Sequence, residues 1–350
     1  MIKDNMCLGD LSKANACNAP IQVQSIGIEK LELYLTKMMF IRAAERKIAK
    51  ARKEGLIGGP VHLSVGQEAV AVGVSSCLTA TDKVFGAHRS HSHVLALGSD
   101  VRKLFAEVLA RSTGLSRGMG GSMHLWDETV GFLGSVPIVA GTVPLAVGAG
   151  MAARLQAAND VSVAYLGDGA MEEGVVHESL NLARVQNDPV IFVVENNLFA
   201  SHMHISLRQP SDCTARFAIA HSIPYEIVDG NDVLSVARAS EKLVSAARNG
   251  YGPGFLEAVT FRWYGHVDWR EDIDVGVNRS QTDLIAWRSR DPVERLIAGM
   301  EAAGIWSEEK QILLQESINE SIDIAWNLAI SDPFPCAQSL TGYVYAGKGA

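Results

Sequence analysis

Asp168 and Asn197 are the residues around which chemistry can be built. Asp168 sits in Gly167-Asp168-Gly169 at the end of an apolar β-type run, Val161 to Leu166. Asn197 closes Glu195-Asn196-Asn197 after a second such run, Val190 to Val194, and a helix-like stretch separates the two. Two parallel strands joined by a helix bring their carboxyl ends side by side, where open α/β sheets hold ligands. A carboxylate and an amide oxygen meeting there suit Mg²⁺, which takes few protein oxygens and completes its shell from phosphate. The free amides that open the intervening helix suit the phosphate itself. The pattern predicts a metal-anchored diphosphate site.

The elements that must position this pair can be read along the chain. Ile28 to Lys53 carries apolar residues at helical spacing and is stopped by Gly55 and Gly58-Gly59-Pro60. Val65 to Leu78 and Val101 to Ala110 read as helices, with a short strand at Lys83 to Ala87 between them. Gly114 to Gly134 is glycine-rich and aperiodic, which at that length suggests a binding loop. Val143 to Ala158 is helical, with small residues suited to close packing. A strand near Tyr225, a helix from Val233 to Arg248 and a strand from Phe255 to Phe261 continue the alternation. Pro292 to Trp326 is an amphipathic helical region that Asp332-Pro333-Phe334-Pro335 breaks. Alternating βα units predict an α/β fold with a mainly parallel sheet and helices on both faces. The expected organisation is a mobile arm over residues 1–26, then a single domain over 27–350 with a helical C-terminal tail.

The motifs taken together resemble a known family. Gly-Asp-Gly followed about 30 residues later by Asn-Asn is similar to the diphosphate signature of thiamine-diphosphate enzymes. Gly120-Gly121-Ser122-Met123-His124, and His62-Leu63 before Gly66-Gln67-Glu68-Ala69, resemble the α subunit of 2-oxoacid dehydrogenases, of the pyruvate and acetoin type. So do Ile138-Val139 before Val143-Pro144, Tyr225 to Asp232, and Tyr264-Gly265-His266. The likeness runs from about Leu31 to about Leu340 in the family's order.

The resemblance implies a thiamine-diphosphate-binding fold and oxidative decarboxylation of a 2-oxoacid. The cofactor's ring takes up the electrons released with CO₂. Asp168, Asn197 and the carbonyl of Phe199 are implied ligands of Mg²⁺, and the amides of Gly169 and Ala170 implied contacts of the diphosphate. Arg89 matches one member of a Tyr-Arg pair at the same end, with His88 in place of the Tyr. Val139 is the implied contact of the aminopyrimidine, and Pro137 stands where many relatives have Gly. His266 and His62 are placed beside the reacting carbon, where a group titrating near neutrality can stabilise a carboxylate and move protons. Tyr264 replaces the first His of the family's His-Gly-His loop. Val267 replaces the Ser of relatives controlled by phosphorylation, which implies no such control there.

The family also implies partners. Its activating glutamate comes from a β subunit, so an α₂β₂ assembly is expected, with transfer of the acyl group to a lipoyl-bearing acyltransferase. An acetoin dehydrogenase α subunit, a thiamine-dependent decarboxylase or acyl-transferring enzyme of a biosynthetic pathway, and a non-catalytic relative are the alternatives. The departures His88, Pro137 and Tyr264 motivate the biosynthetic one. Plainer roles compete residue by residue. Asp168 could cap the following helix, and Glu172 and Glu173 could serve its dipole. His88, His91 and His93 are spaced closely enough to hold a transition metal, although a cofactor-facing loop is the preferred reading, and Arg270 to Asp274 reads as a solvated loop that the resemblance makes a mobile active-site flap.

Composition narrows the class. Of 350 residues 47% are apolar and 20% charged, enough for a sizeable core and against bulk disorder. A formal charge of −8 argues against a nucleic-acid role, which needs clustered Lys and Arg. Cys7, Cys17, Cys77, Cys213 and Cys336 form no C-x-x-C pair, which fits a reducing compartment without a zinc or disulfide framework. No apolar run approaches membrane-spanning length, and residues 1–25 lack signal and transit patterns. A cytoplasmic location, with no membrane partner, is expected.

Overall fold

The computed structural model describes residues 7–342. Its centre is a six-stranded sheet of β1 (Lys83–Gly86), β2 (Phe132–Ser135), β3 (Ser162–Gly167), β4 (Val190–Asn196), β7 (Tyr225–Asp229) and β8 (Gly254–Val259). The order is β2-β1-β3-β4-β8-β7 and every pairing is parallel. Parallel strands buried on both faces read as continuous apolar runs, and β4, Val-Ile-Phe-Val-Val, is buried throughout. Successive side chains divide between two cores. Val163, Tyr165, Ile191 and Val193 point to one, and Ala164, Leu166, Phe192 and Val194 to the other.

The first core is closed by α1 (Ile28–Lys53), α2 (Glu68–Ser75), α3 (His91–Ala96), α4 (Val101–Val108) and α8 (Val233–Ala246). The second is closed by α5 (Val143–Leu155), α6 (Gly174–Gln186) and α7 (Ala215–Ala220). Helices therefore cover both faces, as the alternation predicts. Two hairpins were not legible in the sequence, β5 (Phe199–Ala200) with β6 (Met203–His204), and β9 (Ile273–Asp274) with β10 (Val277–Asn278). Both lie beside the site described below. After α9 (Gln281–Arg288), α10 (Pro292–Ala302) and α11 (Glu308–Ser331) complete the first core. The Trp326 ring meets Phe105 edge-on at 5.1 Å, so this end of the chain is docked.

The expected mobile arm is corrected. Residues 1–6 lie outside the described residues, but Leu8, Ile21 and Val23 are buried. Leu8 N donates to Asp212 Oδ1 at 3.0 Å, Arg290 donates to Leu11 O at 2.8 Å, and Arg295 Nε donates to Ala19 O at 2.9 Å. The segment shows no period because side chains from distant elements satisfy its backbone, in place of a ladder of its own.

Candidate active site

The register between β3 and β4 sets Gly167 opposite Glu195, so the chain leaves both strands with Asp168 and Asn197 side by side. They line a cavity of about 370 Å³ at the carboxyl ends of the sheet. His88, Arg89, Val139, Gly169, Ala170, Phe199 and His266 line it too. Pro137 does not line it, and His62 reaches it through its contacts with the rings of His88 and His266. A wider cleft of about 690 Å³, lined by Arg46, Lys50 and Asn319, lies between α1 and α11 and holds no motif residue.

Asp168 caps neither the short turn nor the helix that follows it. Its carboxylate is buried and pairs with Arg208, whose guanidinium also meets Glu172. Burial pushes the Asp168 carboxyl up to about 6 in spite of Arg208. Gln209 Nε2 donates to Asp168 O at 3.1 Å and to Glu172 at 2.8 Å. Glu172 is thus tied into the site's edge and does more than answer a helix dipole. Asn197 Oδ1 accepts from Phe199 N at 3.2 Å, turning the chain into β5. Gly169 must be glycine here, because a Cβ would stand 2.6 Å from that of Ala200 on the hairpin.

A buried acid holds this turn from beneath. Glu257 on β8 accepts from Asn196 Nδ2 at 2.7 Å and from the amides of Thr214 and Ala215 at 2.9 and 2.7 Å. Asn196 Oδ1 in turn accepts from Leu198 N at 3.1 Å. Sequence reasoning missed Glu257, although an acid inside an apolar strand was the available signal. It also missed Gln67, which lines the cavity and whose buried Nε2 has no hydrogen-bond partner among the described residues. Arg208 and Gln209 follow the small hairpin and carried no signal.

Three histidines gather on the far side. The His62 and His88 rings lie 4.9 Å apart between centroids, His62 and His266 5.2 Å, and His88 and His266 5.1 Å. Burial, helped by the Arg89 guanidinium, pulls His62 down to about 2 and His266 to about 4, and holds His88 well below its ordinary value. All three are neutral imidazoles at pH 7. Arg89 straps two of the segments by donating to Leu63 O at 2.6 Å and His266 O at 3.1 Å. Asp274 accepts from His266 N at 2.6 Å and pairs with Arg262 at 2.5 Å, so this acid of the expected solvated loop is buried and structural.

The suggested grouping of His88, His91 and His93 does not form. His91 Nδ1 meets Glu45 Oε2 at 2.9 Å and its Nε2 meets Ser122 Oγ at 2.9 Å, while Ser122 Oγ accepts from His62 N at 3.1 Å. His93 stacks on Tyr165 with centroids 3.7 Å apart. These three point apart because His88 lies in the loop before α3, while His91 and His93, two positions apart on the helix, project to different sides. The glycine-rich loop also supports the site without lining it. Glu107 gathers the amides of Ser116, Gly118, Gly120 and Gly121 at 2.6, 2.9, 2.7 and 3.0 Å, which sets Ser122 beneath His62.

Fold and site define an α/β protein with a ligand-sized cavity at its strand ends, one side carrying carboxylate and amide, the other imidazole. The chain belongs to the dehydrogenase E1 component family, whose profile matches residues 36–338. It is 36% identical over 329 residues to the α subunit of acetoin:2,6-dichlorophenolindophenol oxidoreductase from Bacillus subtilis, covering 92% of this chain and 95% of that one. It is also 36% identical to the pyruvate dehydrogenase E1 component α subunit of Rhizobium meliloti, covering 87% and 86%. With the same subunit from Zymomonas mobilis the identity is 35%, covering 91% and 89%. The expected relationship to E1 α subunits of the pyruvate and acetoin type is borne out.

Proposed function

We propose that the chain binds Mg²⁺ and thiamine diphosphate as the α subunit of a 2-oxoacid dehydrogenase. The observation that carries this reading is the convergence of Asp168 and Asn197 on one cavity with His266. The residues fit the group. A buried carboxylate, an amide oxygen and the carbonyl of Phe199 are the hard oxygens Mg²⁺ takes, and the unpartnered Gln67 Nε2 is a donor suited to an anionic ligand. Asp168, Asn197 and Phe199 would hold the metal, with the amides of Gly169 and Ala170 toward the diphosphate. Arg89 and Val139 line the same cavity and would meet the diphosphate and the aminopyrimidine, whereas His88 packs with His62 and His266 across from Asp168, away from the diphosphate end that the resemblance implied for it. Bound there, the cofactor supplies an electron sink for decarboxylation.

The chain's own residues manage charge and protons. Arg89 fixes the segments that carry His62 and His266, so His266 faces the cavity with His62 held behind it in one arrangement. Burial makes both weak bases in the empty cavity, contrary to the expectation of groups titrating near neutrality. As neutral imidazoles they would orient the substrate by hydrogen bonds, and proton uptake would need a bound anion to raise their values. Ile138 and Val139, 72% and 49% exposed at the cavity's edge, are the surface a β subunit would cover while supplying the activating glutamate in an α₂β₂ enzyme. The acyl group would pass to a lipoyl-bearing acyltransferase in the cytoplasm. Pyruvate is the substrate we favour. The 95% coverage of the acetoin relative supports acetoin as the second candidate.

Asp168→Ala tests the site. Calorimetric titration of the variant with thiamine diphosphate and Mg²⁺ should show binding abolished, and affinity equal to the parent chain's would sink the assignment. Turnover of pyruvate and acetoin with an artificial electron acceptor, only when a β-type subunit is co-expressed, would support the divided active site. Turnover by the chain alone would refute it.

A further inference from the structure

We propose that His62, His88 and His266 form a site for one divalent transition cation of the zinc or cobalt type, built from residues other than those assigned to Mg²⁺. Three separate segments bring these rings together, and one ligand nitrogen from each lies within 4.8 Å of the other two. Nitrogens held about 2.0–2.1 Å from a tetrahedral ion stand about 3.3 Å apart, so small ring rotations close the gap. Edge-on packing of rings does not by itself require three nitrogens to converge. His62, 5% exposed, has a buried Nδ1 with no hydrogen-bond partner among the described residues, so no protein group holds its ring by that nitrogen and the ring is free to turn toward a cation.

The ligand chemistry agrees. Imidazole suits zinc, cobalt and nickel, and a set without carboxylates is poor for Mg²⁺ or Ca²⁺. Burial keeps all three rings in the neutral form that a metal needs. Three protein ligands leave a position open. His88 and His266 line the cavity, so the ligand that completes the shell comes from there. Arg89 and Arg262 oppose a cation, and Asp274, bonded to His266 N, offsets part of their charge. A hydroxide or carboxylate in the open position offsets the rest. On the proposed function, which this consequence alone presupposes, occupancy withdraws His62 and His266 from the substrate and inhibits turnover.

The test is titration of the full-length, metal-stripped chain with Co²⁺ in excess Mg²⁺, read by visible absorption and calorimetry. One equivalent should bind with the intense bands of a four-coordinate ion. His88→Tyr and His62→Gln should each weaken Co²⁺ roughly hundredfold, with unchanged circular dichroism showing that the variants fold. His177→Gln, at the other close histidine pair (His177 and His221, 5.9 Å apart), should leave binding unchanged. No saturable site, binding that survives His88→Tyr, or binding lost with His177→Gln overturns the proposal. Cofactor binding that depends on Asp168 is read separately, so either site can fail without the other.

Discussion

A histidine kept neutral in the folded chain makes stability depend on pH. An unfolded imidazole titrates near 6.5, whereas His62 and His266 take up protons only near 2 and 4 when folded. Above pH 6.5 neither state binds these protons. Below it the unfolded chain binds protons that the folded chain refuses, so stability falls as pH drops through 6.5 toward those folded values. Each fully linked ring contributes up to about 1.4 kcal/mol per pH unit. Urea midpoints of the metal-free protein at pH 7.5 and 5.5 should differ less in His62→Gln than in the parent. Equal differences would show that His62 is protonated in the native state. That Asp168 and Asn197 meet was legible because each ends a long apolar strand, a signal local to a few residues. Closeness in sequence, at 88, 91 and 93, carried no information on which histidines meet, since His88 precedes α3 and His91 and His93 leave it in different directions. The triple that forms comes from segments brought together only by the sheet.

At the scale of elements, long periodic segments were legible and short irregular ones were not. Ile28–Lys53 has the predicted bounds, and β3, β4 and α8 lie within a residue or two of theirs. The six residues of α3 begin with three buried polar side chains, His91, Ser92 and His93, so no apolar stripe marked them. The glycine-rich loop shows how much order a single carboxylate can impose without periodicity. Four amides converge on Glu107, itself fully buried. Glu107→Ala leaves those donors unsatisfied and should cost about 3 kcal/mol or more. The loop's amide resonances should broaden and the backbone amide of His62 should shift, as Ser122 loses its fixed place. An unperturbed His62 amide in a folded variant would separate the loop from the site.

At the scale of the whole molecule, two cores share one sheet, and residues 8–23 are stitched across the far end of the chain. Asp229 on β7 pairs with both Arg290 and Arg295, the arginines that hold the backbone of Leu11 and Ala19. Gly299 lets Ile21 pass, since a Cβ there would stand 2.1 Å from Ile21 O. Deleting residues 1–24 removes three buried aliphatic side chains, worth roughly 5 kcal/mol at about 1.5–3 kcal/mol each. Thermal unfolding of the truncated chain should begin several degrees lower, and an unchanged midpoint would show the segment to be merely adherent. This strap also sets an order of events during synthesis. Leu11 leaves the ribosome 279 residues ahead of Arg290, and Ala19 leads Arg295 by 276. At about 5–20 residues per second the segment waits roughly 15–60 s for its partners. A segment made long before its partners is therefore among the last to find its place.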